Sequence, residues 1–315
     1  MFLLAIVIVG AMAAQQKAGR HILRFIPLGG DGSWDYLRFD PNANRLFIAR
    51  QTRVMVVDLA TGKLAGEIPD TTGVHGVALV AALHRGVTSN GKANTATIFD
   101  LDSLKPLATV PTGEKPDSIL WEPFSGKVLT MNGHSNSITV VDVGAAKPIG
   151  TIALPGRPET AVSDGGGSVF VNLEDKSQIA AVDMQARSIV HTWDLPGCSE
   201  PTGLAIDTDH ARLFSGCHNG VLAVLDAHSG KVIQTLPIGL GVDAVAYDPA
   251  SHTVFTSNGE GSISVIDQSD PDKYTSRETV TTLPGAKTMA LDPVHHLVYT
   301  VANRDGQFVL LAIGQ

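Results

Sequence analysis

The sequence predicts an all-β protein, a seven-bladed β-propeller of four-stranded antiparallel blades, and three observations carry that prediction. In residues 241–268 the segments AVAYD, TVFTSN and SISVID place apolar and β-branched residues at every second position, with the turn sequences DPASH and GEG between them. An aspartate that closes the third strand of this meander recurs as Asp58, Asp100, Asp142, Asp183, Asp226 and Asp267, at spacings of 41 to 43 residues. No long amphipathic helical pattern interrupts the repeat. A fixed period near forty with four strands per unit is the mark of propeller blades.

The blades follow in order. Blade one takes WDYLRFD, RLFIAR, RVMVVD and LAGEIP; blade two HGVALV, HRGVTSN, TATIFD and PLATVP; blade three DSILWEP, KVLTMN, SITVVD and PIGTIAL. Blade four takes TAVSD, SVFVNL, QIAAVD and IVHTWDL; blade five TGLAID, RLFSGC, VLAVLD and VIQTLPIG; blade six the meander above and ETVTTLPG. Blade seven has TMALDP, LVYTVAN and FVLLAIG, then runs out of chain. Its missing fourth strand is HILRFIPLGGDG near the N-terminus, which reads like VIQTLPIG of blade five. The N-terminal strand is therefore expected to complete the last blade and close the ring, removing the exposed sheet edges.

Composition supports one domain, residues 21–315. The 315 residues include 32 Gly and 17 Pro, with 43% hydrophobic and 17% charged side chains, which suits a body of short strands and tight turns. The formal net charge of −8 and the absence of a basic stripe exclude a nucleic-acid footprint. Residues 1–14 are different: an uncharged apolar run, FLLAIVIVGAMAA, ends in the small residues Ala11, Ala13 and Ala14. It is short for a membrane span and is expected to be a signal peptide, making the protein periplasmic or secreted, a monomer with no integral membrane domain after cleavage. No Lys or Arg precedes the run, a departure from the usual leader.

The second-strand sequences VYTVAN, VFTSNG and VLTMNG, each followed by a polar turn and a VIDQ-like third strand, resemble the YVTN-type propeller repeat of exported bacterial proteins. That resemblance implies a seven-bladed exported propeller and leaves the ligand open. Fold alone assigns no chemistry.

Chemistry has to come from positions that vary between blades. Aligning the first strands on AVAYDP puts one residue per blade at the strand entrance: Asp35, His75, Asp117, Glu159, Thr202, Asp243 and Lys287. First strands line a propeller's channel, so these seven are expected to ring one mouth, where a small molecule, peptide or protein partner would bind. Two carboxylates about 8 Å apart at an effective dielectric near 20 repel by roughly 2 kcal/mol, so the acids need compensation. Lys287, raised carboxylate pKa values, channel water or a divalent cation such as Ca²⁺ on Asp35, Glu159 and Asp243 would each supply it. The hairpins on the same face add His134, His218 and Arg304, and His75 offers acid and base work near neutrality. The asparagines there, Asn90, Asn132, Asn172, Asn258 and Asn303, are expected to support left-handed turns.

Cys198 and Cys217 fall on the same face of blade five and are expected to pair in an oxidising compartment, although a thiol metal site with His218 or two free thiols would also fit. There is no CxxCH, GxSxG, HExxH or GxxxxGK. Two readings survive: a binding or scaffold propeller, and a metal-dependent hydrolase or lyase of the lactonase kind.

Overall fold

Runs such as RLFIAR and RVMVVD can bury their β-branched and aromatic residues only by alternating them between two covered faces. In the computed structural model, which describes residues 19–315, they do so in seven four-stranded antiparallel sheets. Residues 1–14, the expected leader, lie outside the described residues. Blade one is Leu37–Asp40, Arg45–Arg50, Arg53–Asp58 and Lys63–Ile68. Blades two to six repeat the pattern from Val74–Val80, Pro116–Glu122, Pro158–Ser163, Pro201–Asp207 and Val242–Asp248.

Blade seven joins Met289–Asp292, Leu297–Arg304 and Gln307–Gly314 to His21–Pro27 from the other end of the chain. His21 pairs with Gly314 and Pro27 with Val309, so the ring closes as expected. Arg50 locks the connection from that strand to blade one. Its guanidinium donates to the carbonyls of Gly30, Asp31 and Gly32 at 2.9, 3.0 and 2.9 Å and lies 3.6 Å from the Phe308 ring centre.

The apolar side chains collect into seven clusters, one between each pair of neighbouring blades. Phe47, Val56, Val74 and Phe99 fill the layer between blades one and two; Ile48, Val57, Val301 and Leu310 fill the layer that closes the ring. Each blade thus packs only on its two neighbours, and the core grows by repetition.

Two local readings change. Asn90, Asn132 and Asn258 do not form left-handed turns: they are buried ends of second strands. Each accepts from the Thr two residues earlier and donates to hydroxyls of the third strand, as Asn132 does to Ser137 and Thr139. Asn172 is also buried and donates instead to the Thr202 and Gly203 carbonyls of blade five. In blade six the third and fourth strands run on to Ser262–Asp270 and Lys273–Thr281, beyond SISVID and ETVTTLPG. Tyr274 makes that extension fold inward, meeting the Phe214 ring edge-on at 5.6 Å, while Arg212 pairs with Asp272 at 2.8 Å.

Candidate functional site

The ring residues owe their direction to irregular pairing. In blades two to six the first strand shifts register at its entrance, between Val74 and Gly76, Pro116 and Ile119, Pro158 and Ala161, Pro201 and Leu204, and Val242 and Ala244. His75, Asp117, Glu159, Thr202 and Asp243 all fall inside those shifts. A bulge re-aims the side chain it contains, here away from the sheet. Asp35 and Lys287 stand just before the shorter first strands of blades one and seven.

Three of the seven meet. His75 Nδ1 donates to Asp35 Oδ2 at 2.6 Å and lies 3.4 Å from Asp117 Oδ1, and Lys115 Nζ sits 3.3 Å from Asp117 Oδ2. Burial opposes the His75 imidazolium, but the bond to Asp35 and the fields of both aspartates outweigh it, so its pKa is raised. Burial, with the fields of Asp117 and Asp243, raises Asp35 in turn. Asp243 pairs with Lys287 at 2.6 Å, and that pairing lifts the lysine against the effect of burial.

Glu159 takes a partner that the sequence comparison passed over. Tyr36 of blade one reaches across the channel and donates its hydroxyl to Glu159 Oε1 at 2.7 Å. Burial first, then Asp117 and Asp243, hold the Glu159 carboxyl well above its usual range, and the same surroundings raise the Tyr36 phenol. Blades one and four stand on opposite sides of a seven-membered ring, so this bond bars the channel beneath the mouth. A wider comparison would have found it: the residues aligned with Tyr36 are Gly76, Ser118, Thr160, Gly203, Ala244 and Thr288, all small. Gly203 shows why, since a Cβ there would lie 2.6 Å from the Val245 amide of the next blade.

Four expected residues play other parts. Thr202 turns its hydroxyl to the Val242 carbonyl at 2.6 Å and ties blade five to blade six, so it gives the ring no free polar group. Arg304 stands away from the mouth, its guanidinium 4.3 Å from the ring centre of Phe25 on the outermost strand of blade seven. His218 is exposed on the rim, 3.7 Å from Glu200, and His134 is exposed in the hairpin of blade three. The rim also holds Arg157, paired with Glu174 at 2.8 Å. Two rim residues are strained: the step occupied by Gly73, Gly241 and Gly285 at positive φ is Lys115 in blade three and Glu200 in blade five, at 50° and 52°. A lysine held left-handed costs of order 1 kcal/mol, and here it brings a cation against Asp117.

The expected cation set, Asp35, Glu159 and Asp243, is not what converges. Asp243 is taken by Lys287 and Glu159 by Tyr36. Among the described residues, the group whose ligand atoms all lie within 4.8 Å is Asp35, His75 and Asp117. An imidazole between two carboxylates suits a borderline ion such as Zn²⁺ better than Ca²⁺, which takes six to eight oxygens. Cys198 and Cys217 form a disulfide, with Cα atoms 5.3 Å apart, and fix the loop that carries Glu200 into blade five.

Ring and closure together define a seven-bladed β-propeller with an acid-lined channel mouth crossed by the Tyr36–Glu159 bond. No family model matches the chain. Two solved structures share the fold at 16% sequence identity: a Kuenenia stuttgartiensis hydrazine synthase chain, with a TM-score of 0.77 over 95% of this chain and 98% of that one, and a chain of the mitotic checkpoint complex, with 0.79 over 99% and 98%. A curated relative, the pre-rRNA-processing protein IPI3 of Meyerozyma guilliermondii, is 30% identical over 120 residues, 36% of this chain. The match spans about a quarter, 26%, of that relative's length. These likenesses show the fold and assign no chemistry.

Proposed function

We propose that the chain is an exported propeller of the YVTN-repeat kind that works by binding. Its ligand is a small polar molecule, or the polar side chain of a peptide or protein, bearing amine or hydroxyl donors. The observation that carries this reading is a mouth that gathers the Asp35, His75 and Asp117 cluster, the Asp243–Lys287 pair and Glu159, crossed by the Tyr36 bond. Carboxylates in such a cup accept from a donor-rich ligand, and Lys115, Arg157 and Lys287 around it fix the ligand's orientation. Export is supported by the disulfide, which persists in oxidising compartments, and by the apolar leader.

The test is thermal shift against diamines, amino acids and polyols, on the wild type and on Asp117→Asn, Glu159→Gln, Asp243→Asn combined. At least one class should raise the wild-type Tm and leave the folded variant unmoved. No response from either protein, or an equal response from both, refutes the reading.

One observation favours a second reading, a metal-dependent hydrolase or lyase: the Asp35, His75 and Asp117 cluster. Those three residues would hold the ion, which would supply Lewis-acid chemistry when bound. Zn²⁺ should then stabilise the wild type and not His75→Ala, a response the first reading does not require.

A further inference from the structure

The mouth opposite the acid ring is built from other chemistry. A hollow of about 370 Å³ opens there between blades six, seven and one. Its wall is apolar, with Val245, Ala246, Met289, Leu291, Leu37 and Phe39 prominent, and Arg38 is the one charged residue lining it.

Arg38 is out of place in the repeat. It pairs with Phe47 in the sheet of blade one, and the matching steps of blades two, five, six and seven are Ala78, Ala205, Ala246 and Ala290. Blades three and four have Leu120 and Val162 there. An arginine has thus been set where six blades carry an aliphatic residue.

Its guanidinium makes no ion pair or hydrogen bond with any described residue. The nearby acids are committed elsewhere. Asp40 accepts from the Asn42 amide and pairs with Arg45, Asp248 accepts from Ser251 and His296, and Asp292 holds its own hairpin and His295. Arg38 is exposed to the solvent of the hollow, and the surrounding blades lower its pKa by desolvation, with Asp40 working the other way. A hydrated guanidinium with no counter-charge, set beside apolar side chains, leaves its full set of donors free for an incoming anion.

We propose that this second mouth binds a small aliphatic carboxylate, its head in a bidentate pair with Arg38 and its chain along the wall formed by blades six and seven. Guanidinium and carboxylate match in geometry as well as charge. The apolar wall selects for a tail, which a bare inorganic anion lacks, and the volume lies within the usual range for small-molecule pockets, about 300–1,000 Å³.

Titration calorimetry on the purified protein tests this with octanoate, acetate, inorganic phosphate and octylamine. Octanoate should bind at least ten-fold more tightly than the other three, and Arg38→Ala should weaken it by about ten- to a hundred-fold. Arg38→Ala installs the residue that four other blades carry, so its Tm should stay near that of the wild type. If it does not fold, Arg38→Met keeps the side-chain bulk and gives the same reading. No octanoate binding, equal binding of acetate, phosphate or octylamine, or undiminished binding by a folded Arg38 variant overturns the proposal. So does loss of octanoate binding in the combined acid-ring variant, which would put the ligand at the other mouth.

Discussion

The Glu159 carboxyl holds its proton more tightly in the folded protein than in the unfolded chain, because burial and the fields of Asp117 and Asp243 outweigh the Tyr36 hydrogen bond. The sign of the consequence follows from linkage. Protonation stabilises the fold at low pH, and that contribution is lost as pH rises from the ordinary value of 4.5 through the raised one. His75 acts in the same direction: its contribution is full below 6.5 and is lost as pH climbs through its raised value. Glu159→Gln keeps an acceptor for Tyr36 and removes the titration. Its Tm should exceed that of the wild type by about a few degrees at pH 8, with the gap closing toward pH 4.5; a pH-independent gap in scanning calorimetry would sink this account. At this scale the sequence showed the Asp35, His75 and Asp117 cluster and its neighbours in the ring, because theirs is a column that varies from blade to blade. It hid Tyr36 and Arg38 because an aromatic and a long side chain look ordinary in an alternating strand. Only the columns one and three places further on expose them, where every other blade is small or aliphatic.

Strands, hairpins and the one covalent staple set how firmly the mouth is held. The strands were legible because alternation and turn residues mark them directly, and Asp58 or Asp226 at a strand end is read correctly as a turn former: each accepts from the amide three residues on. The asparagine ends were misread because Asn serves two purposes, and a sequence does not say which. What decides is burial: with Thr88 and Thr97 beside it, Asn90 bridges two strands instead of turning the chain. The blade six extension was missed because Pro271 and Asp272 look like the end of an element, whereas they are the tip of a longer hairpin. The disulfide closes a separation of 19 residues. In the chain-entropy model such a loop is worth about 3 kcal/mol, so Cys198→Ala, Cys217→Ala combined should lower stability by roughly that amount in denaturant melts. The reductant-treated wild type should match it. A loss well under 1 kcal/mol would mean that packing alone fixes the rim.

Closure of the ring governs the molecule as a whole. His21–Pro27 covers the edge of Gln307–Gly314, and Arg50, 1% exposed, ties the following loop through three carbonyls. Arg50→Met leaves those carbonyls without their donor and should cost about 2–4 kcal/mol, read as an earlier and less cooperative melt. A change under 0.5 kcal/mol would assign closure to strand pairing alone. The overall architecture was the most legible feature of the sequence, since the period, the orphan strand at one end and the missing strand at the other leave one arrangement. The Tyr36 bond to Glu159 gives that arrangement a last property. A wheel with a crossbar has two unlike sides, so whatever docks at one hub meets acids and whatever docks at the other meets Arg38.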